Sequence, residues 1–81
     1  MTLSDVIKNI ASIDADMTIY AKTPWLEDSP AFVDYEPDDG SVPDGAENME
    51  YFLEVFIVNQ LLEDIGNADC QRIIDYAIND V

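Results

Sequence analysis

Apolar residues near the start of the chain recur at helical spacing. Thr2 stands immediately before them, and Asp5 occupies the third helical position, which is the spacing of a capping box. We predict an amphipathic helix over about residues 3–13. Its apolar side is formed by Leu3, Val6, Ile7, Ile10 and Ala11.

Two shorter segments have the pattern of β-strands. Residues 17–22, MTIYAK, are rich in β-branched and aromatic side chains. Residues 31–36, AFVDYE, alternate between two faces, with Ala31, Val33 and Tyr35 on one of them. The intervening TPWLEDSP has a proline at each side, so we predict an antiparallel pair of strands joined by this loop.

The segment at residues 47–65 has two interpretations. As a single helix it would carry two opposed apolar faces, an awkward pattern in a small domain. We prefer a strand at about 50–56 followed by a helix at about 57–65 that closes at Gly66. A single deeply buried helix is the alternative, because short apolar runs do not decide between the two.

A last helix is predicted after Asn67, a residue type that can cap it. The order of elements is then α-β-β-(β)-α-α, in one domain of 81 residues. A small antiparallel sheet of two or three strands packed against about three helices is an α+β fold, with the other sheet face partly exposed. The last helix has one apolar stripe: Cys70, Ile73, Ile74, Ala77 and Ile78.

Charge narrows the class of partner. The chain has 18 acidic and three basic residues, a net charge of -15 at pH 7. Thirteen acids and no base lie between Lys22 and Arg72. Nucleic acids and anionic membranes attract the opposite sign, so we expect no direct binding to either. A basic protein is the expected partner.

Neither a membrane span nor a secretory leader is visible. The longest dense apolar run, residues 51–62, is interrupted by polar residues and is too short to span a bilayer. The N-terminal residues lack the basic start and apolar run of a secretory signal. The single cysteine cannot form an internal disulfide. We predict a cytoplasmic protein.

The acids from Asp34 onward superficially resemble the start of an EF-hand calcium-binding loop. Counted from Asp34, Asp39 stands where the loop needs glycine, and Gly45 stands where it needs a bidentate glutamate. The chain has no histidine, which also disfavours a transition-metal site. We predict neither a metal nor another cofactor.

Catalytic patterns are equally weak. Without histidine, nucleophilic catalysis of the Ser-His or Cys-His kind is excluded. Cys70 lies on an apolar stripe and is interpreted as a small buried hydrophobic residue. A carboxylate pair acting as acid and base would need an enclosed pocket, which a domain of this size seldom forms. We predict that the protein is not an enzyme.

The most acidic stretch is DYEPDDGSVPDG, residues 34–45, with five carboxylates and no base. In an extended chain, residues two apart project to the same side about 6.6 Å from each other, a spacing of the order of that between nucleic-acid charges. An acidic loop can also serve solubility alone, but that needs a net charge of only about 2 to 8. We predict electrostatic contacts at Asp34, Glu36, Asp38, Asp39, Asp44 and Glu47.

Trp25 is a second candidate for contact with a partner. It lies between prolines beside Leu26, with Glu27 and Asp28 following, a composition typical of an interface anchor with a charged rim. The alternative is that Trp25 folds back over the sheet as part of the core.

Three motifs, TIYAKTPW, YEPDDG and MEYFLEVFIVNQLLED, resemble a family of short acidic bacterial proteins of uncharacterised function, over nearly the whole chain. In size and charge the chain also resembles two functional types. One comprises immunity proteins that neutralise toxic nucleases; the other comprises phage inhibitors of host defence, including anti-CRISPR and anti-restriction proteins that imitate DNA. Neither type has one motif, so the resemblance assigns no residue a role.

We therefore predict a non-enzymatic inhibitory protein, of phage or bacterial origin, whose acidic surface blocks a basic nucleic-acid-processing protein such as a nuclease. The alternative is a housekeeping or regulatory interaction module that binds through apolar surface, as a homodimer or with another protein. In that case the charge serves solubility only.

Overall fold

The computed structural model describes residues 1–39, 41–65 and 70–79, with Ile65 described by its backbone alone. The elements follow the order α-β-β-β-α-α, which confirms the α+β prediction. They are α1 (Leu3–Lys8), a 3-10 helix (Ile10–Ser12), β1 (Thr18–Ala21), β2 (Ala31–Asp34), β3 (Glu50–Glu54), α2 (Val55–Ile65) and α3 (Cys70–Asn79).

The first helix begins where the sequence predicts and ends early. The capping box is present, because the Asp5 amide donates to Thr2 Oγ1 and the Thr2 amide donates to Asp5 Oδ2, both at 3.1 Å. The α-helix ends at Lys8 and is capped by Asn9, whose side-chain amide donates to the Asp5 carbonyl at 2.8 Å. The predicted helix over 3–13 is therefore wrong in its second half, where a 3-10 turn replaces it.

The start of α1 is docked on the β1–β2 loop. The Leu3 amide donates to the Ser29 carbonyl at 3.0 Å, and the Ser4 amide donates to the Glu27 carbonyl at 2.9 Å. These are first-turn amides that have no acceptor within the helix. The loop therefore completes the cap and fixes the helix to the sheet.

The three strands form one antiparallel sheet in the order β2-β1-β3. Because β2 and β3 are both antiparallel to β1, they run parallel to each other on its two sides. A chain that leaves β2 must therefore return along the whole sheet before it enters β3, which takes about a dozen residues or more. The fifteen residues between Asp34 and Glu50 make this return, and we call residues 35–49 the crossover.

One face of the sheet holds the main core. On this face Ile19 pairs with Val33 on β2 and with Leu53 on β3. The helices supply most of the other buried side chains, which include Leu3, Val6 and Ile7 from α1, Val55 and Val58 from α2, and Cys70, Ile73 and Ile74 from α3.

The crossover packs on the second face. Tyr20 and Ala46 are buried but lie outside the main core, and the Phe32 ring lies against the position that a Cβ on Gly45 would take. Tyr20 pairs with Phe32, so both side chains project from this face. Tyr51, on the outer strand, is 48% exposed. The face is thus partly exposed, as predicted, but its centre is covered by the crossover.

The ambiguous segment is a strand followed by a helix, so the single-helix alternative is wrong. β3 pairs with β1, with a bulge opposite Ile19 and Tyr20 that allows both Phe52 and Leu53 to be buried. The helix starts at Val55, two residues earlier than predicted.

The last helix buries the first half of its predicted stripe. Cys70, Ile73 and Ile74 are buried, whereas Ile78 is 56% exposed. The stripe therefore leaves the core over the final turn of α3. The predicted helix end at Gly66 and cap at Asn67 lie outside the described residues.

Candidate partner-binding surface

Two carboxylates, those of Asp34 and Glu54, lie at one end of the sheet on the same face as the crossover. Thr18 pairs with Asp34 on β2 and with Glu54 on β3. Directly opposed residues of antiparallel strands share a face, so Asp34 and Glu54 flank the buried Thr18 hydroxyl from the two sides. These two carboxylates are distant in sequence, but they lie on the two outer strands in line with Thr18 of the central strand.

The turn before β1 adds two more acids. The Tyr35 hydroxyl donates to Asp14 Oδ2 at 2.6 Å, and the Asp16 amide donates to Asp14 Oδ1 at 2.9 Å. These hydrogen bonds, first that from Tyr35, lower the pKa of the Asp14 carboxyl. The same bond, together with the charges of Asp14, Asp16 and Asp34, raises the pKa of Tyr35.

Tyr20 shows that Glu36 belongs to the same group. Burial is the largest cause that raises the pKa of Tyr20, and the charges of Glu36 and Asp34 follow. Strand register places Asp34 on the same face as Tyr20, and Glu36 follows Asp34 by two residues, close enough for its charge to act on the phenol. We use the name acidic end for this group of five carboxylates: Asp14, Asp16, Asp34, Glu36 and Glu54.

The bases belong to other parts of the fold. Lys8 lies in α1 and Arg72 in α3, and both are exposed. Lys22 follows Ala21, so it is at the opposite end of β1. The segments that build the acidic end contribute no positive charge of their own, and this local excess of negative charge is what a basic surface would meet.

The remaining predicted acids lie along the crossover. Asp38 and Asp39 are exposed shortly after the acidic end, and Asp44 and Glu47 are exposed near the part that packs on the sheet. The side chain and backbone of Ser41 hydrogen-bond to Asp39 and lower its pKa.

Glu47 Oε1 accepts the Gly45 amide at 3.0 Å, and this bond lowers the pKa of Glu47. Asp39 and Glu47 therefore stay ionised while they help to shape the crossover. The crossover is therefore held in shape by hydrogen bonds to its own carboxylates as well as by packing on the sheet.

Trp25 is part of the fold. Its ring meets Phe52 edge to face, with centroids 5.0 Å apart, and its Nε1 donates to the Ala21 carbonyl at 3.2 Å. It is partly buried against the main core. The alternative interpretation, in which Trp25 folds back onto the core, describes this position.

Glu27 and Asp28 are exposed in the β1–β2 loop. That loop joins β1 and β2 at the Ala21 end, whereas the acidic end surrounds Thr18. The structure therefore groups Asp34 with Glu36 and separates them from Glu27 and Asp28 by the length of β1.

The sequence analysis does not predict three members of the acidic end: Asp14, Asp16 and Glu54. Strand register brings Glu54 level with Asp34, and a pairing of β1 with both neighbours would have indicated it. Asp14 and Asp16 precede β1, and the hydrogen bond from the Tyr35 hydroxyl joins Asp14 to the residue after Asp34. No local sequence pattern indicates that contact.

The described part of the chain contains no group of three carboxylate or thiol ligands placed to hold a metal ion. No pocket is found within residues 1–39, 41–65 and 70–79. Neither α2 nor α3, the two longest helices described, has the length and apolar character needed to cross a bilayer.

No protein-family model matches the chain, and no curated protein or solved structure matches it.

Proposed function

We propose that the protein is a non-enzymatic inhibitor that binds a basic nucleic-acid-processing protein, such as a nuclease, in the cytoplasm. Its acidic end and crossover would occupy the groove that otherwise holds DNA or RNA. The proposal covers inhibitors of the immunity, anti-restriction and anti-CRISPR type that act by occupying such a groove.

One observation supports it above the others: three separate chain segments, none of which contains a basic residue, bring carboxylates to the same end of one sheet. A charge used only for solubility needs no such grouping, because scattered acids serve equally well. Grouped charges repel one another and lower stability. A basic partner would relieve this repulsion on binding, which gives the arrangement a functional reason.

The frame under the charges is well suited to mimicry. Strand pairing fixes the backbone at Asp34 and Glu54, and hydrogen bonds from Tyr35 hold the carboxylates of Asp34 and Asp14. Charges held in place lose little conformational freedom when they bind. A fixed negative surface also steers a basic partner toward it, with a rate that falls as salt rises.

The test measures inhibition of DNA cleavage by three purified nucleases with basic grooves: a toxin nuclease, a restriction endonuclease and an RNA-guided nuclease. We expect inhibition of at least one of them at low salt. Excess DNA should relieve it, because protein and DNA would compete for one groove. Inhibition should also weaken between 50 and 300 mM salt, since screening shortens the range of charge interactions.

Two matched variants test whether inhibition depends on where the negative charges lie or only on the net charge. The first neutralises the acidic end with Asp34→Asn, Glu36→Gln and Glu54→Gln, and it should lose inhibition. The second neutralises exposed acids of α2 and α3 with Glu63→Gln, Asp64→Asn and Asp75→Asn, and it should retain inhibition. Equal loss in both would show that only net charge matters. Normal inhibition by the first variant, or no inhibition by the native protein, would refute the proposal.

A second candidate is the interaction module that uses apolar surface, alone or as a homodimer. It is favoured by two exposed apolar side chains on the helices, Phe56 at 45% and Ile78 at 56% exposure. Its binding, or its dimer in sedimentation experiments, would persist at 300 mM salt, because apolar contacts are little screened. Replacing Phe56 and Ile78 by serine would then abolish the association.

A further inference from the structure

Leu26 is an exposed apolar side chain on a loop that is otherwise fixed in place. Its side chain is 55% exposed, more than that of any other large apolar residue between Thr2 and Ile65 whose exposure the structure describes. Trp25, the residue before it, is turned toward Phe52 and the core. Of the two large apolar residues in the loop, Trp25 therefore packs on the core and Leu26 faces the solvent.

The backbone around Leu26 is hydrogen-bonded on both sides. The Leu26 amide donates to Ser29 Oγ at 2.8 Å, and this hydroxyl donates to the Pro24 carbonyl at 2.9 Å. The Ser29 amide donates to the Leu26 carbonyl at 3.0 Å. Ser29 is itself buried, so the bonds that hold the loop are protected from water.

The start of α1 holds the same loop from another side. The amides of Leu3 and Ser4 donate to the carbonyls of Ser29 and Glu27. The loop is thus attached to β1 through Trp25, to itself through Ser29, and to α1. An exposed leucine on such a support loses little backbone freedom on binding, which is the condition for an efficient contact residue.

We propose that Leu26 is a second contact point of this protein, which inserts into an apolar depression with a basic rim on the same nucleic-acid-processing protein. This inference rests on the proposed inhibitory function. Glu27 and Asp28 follow Leu26 directly and are exposed, so a depression that accepts the leucine must bring positive charge to its edge. Trp25, the aromatic anchor that the sequence suggests, has no part in this contact because it packs on the core.

A second copy of the chain is a poor occupant of this site. In a two-fold dimer centred on Leu26, the acids that follow it would face their own counterparts. Glu27 and Asp28 would then add like-charge contacts to an assembly of two chains that each carry a net charge of -15. With a basic partner, Glu27 and Asp28 would instead make favourable contacts with opposite charges.

The test uses whichever nuclease the native protein inhibits and measures Kd at 50 and 300 mM salt. Leu26→Ala should raise Kd about tenfold, by a similar factor at both salt concentrations, because an apolar contact is not screened. The acidic-end variant should show a large effect at 50 mM and a smaller one at 300 mM. Phe56→Ala, which removes an exposed apolar side chain elsewhere, should leave Kd unchanged.

The outcomes separate the two proposals. Unchanged binding by Leu26→Ala, together with impaired binding by the acidic-end variant, would overturn the Leu26 contact and leave the inhibitory function standing. Equal increases in Kd for Leu26→Ala and Phe56→Ala would also overturn the Leu26 contact. If sedimentation shows a native dimer that Leu26→Ala dissociates, the occupant is a second copy and the inference is wrong. If no nuclease is bound, both proposals fail.

Discussion

Gly45 lies directly against the ring of Phe32. A Cβ built on Gly45 would be 3.0 Å from Cζ and 3.1 Å from Cε1 of that ring, and the backbone of Gly45 has a φ of +100°. Both the space and the dihedral require glycine. This contact holds the crossover on the sheet, so it connects the acidic segment to the stability of the fold.

Gly45→Ala should therefore destabilise the protein. An L residue at this φ costs about 1–3 kcal/mol, and the displaced ring of Phe32 adds to that cost. We expect a lower midpoint of urea unfolding, measured by the fluorescence of Trp25. Val42→Ala, at an exposed position of the crossover, is the control and should change the free energy of unfolding by less than about 0.5 kcal/mol. Equal stability of both variants would mean that the crossover is not packed as described.

Trp25→Ala should also destabilise the fold, by about 2–4 kcal/mol, since it removes a partly buried ring and its edge-to-face contact with Phe52. Trp25→Phe keeps an aromatic ring and loses the hydrogen bond to the Ala21 carbonyl, so it should cost about 1 kcal/mol. Leu26→Ala should lie within about 0.5 kcal/mol of the native protein. Urea unfolding followed by circular dichroism measures all three. A stable Trp25→Ala variant would contradict the assigned structural role.

The bond between Tyr35 and Asp14 predicts a pH effect. The pKa of Asp14 is lowered from its ordinary value of 3.8, so its contribution to stability is present above that value and is lost as pH falls through the folded pKa. Tyr35→Phe should raise the pKa of Asp14, although the Asp16 amide still holds it down. An NMR titration of the Asp14 carboxyl carbon measures this shift.

The stability difference between native protein and Tyr35→Phe should be present at pH 7 and vanish below the folded pKa of Asp14. Tyr76→Phe serves as the control, because Tyr76 lies on α3, and it should leave the Asp14 titration unchanged. An unaltered pKa of Asp14 in Tyr35→Phe would show that the hydrogen bond is absent in solution.

Salt should stabilise the native protein. Acids outnumber bases by 18 to three, so their repulsion is the dominant long-range force and is screened as the Debye length falls from about 30 Å at 0.01 M to about 8 Å at 0.15 M. A gain of about 1 kcal/mol would raise Tm by about 4–8 °C. Thermal unfolding in 10 to 300 mM NaCl measures it.

The acidic-end variant with Asp34→Asn, Glu36→Gln and Glu54→Gln provides the comparison for this experiment. It should begin with a higher Tm at 10 mM NaCl and gain less from added salt than the native protein. Potassium chloride at equal concentration should give the same result, because screening depends on ionic strength. A Tm independent of salt in both proteins would mean that the grouped charges do not interact.

Local chemistry in the sequence determined most of the elements. The spacing of Thr2 and Asp5 was enough to place the start of α1, and the opposed apolar faces of residues 47–65 favoured a strand before α2 without excluding a single helix. Signals of this kind act over a few residues, through capping bonds or side-chain periodicity. For the same reason they did not predict that the α-helix would end at Lys8, where both the side-chain and the backbone amide of the capping residue Asn9 donate to the Asp5 carbonyl.

The acidic end itself was decided by tertiary structure. The sequence showed a run of carboxylates from Asp34 onward and an uneven charge, but it did not show that β3 would pair on the far side of β1. That choice forces the crossover over the sheet, buries Ala46, and brings Glu54 level with Asp34. Strand order depends on which pairing buries the most apolar surface across the whole chain, a sum over distant residues that no local pattern contains.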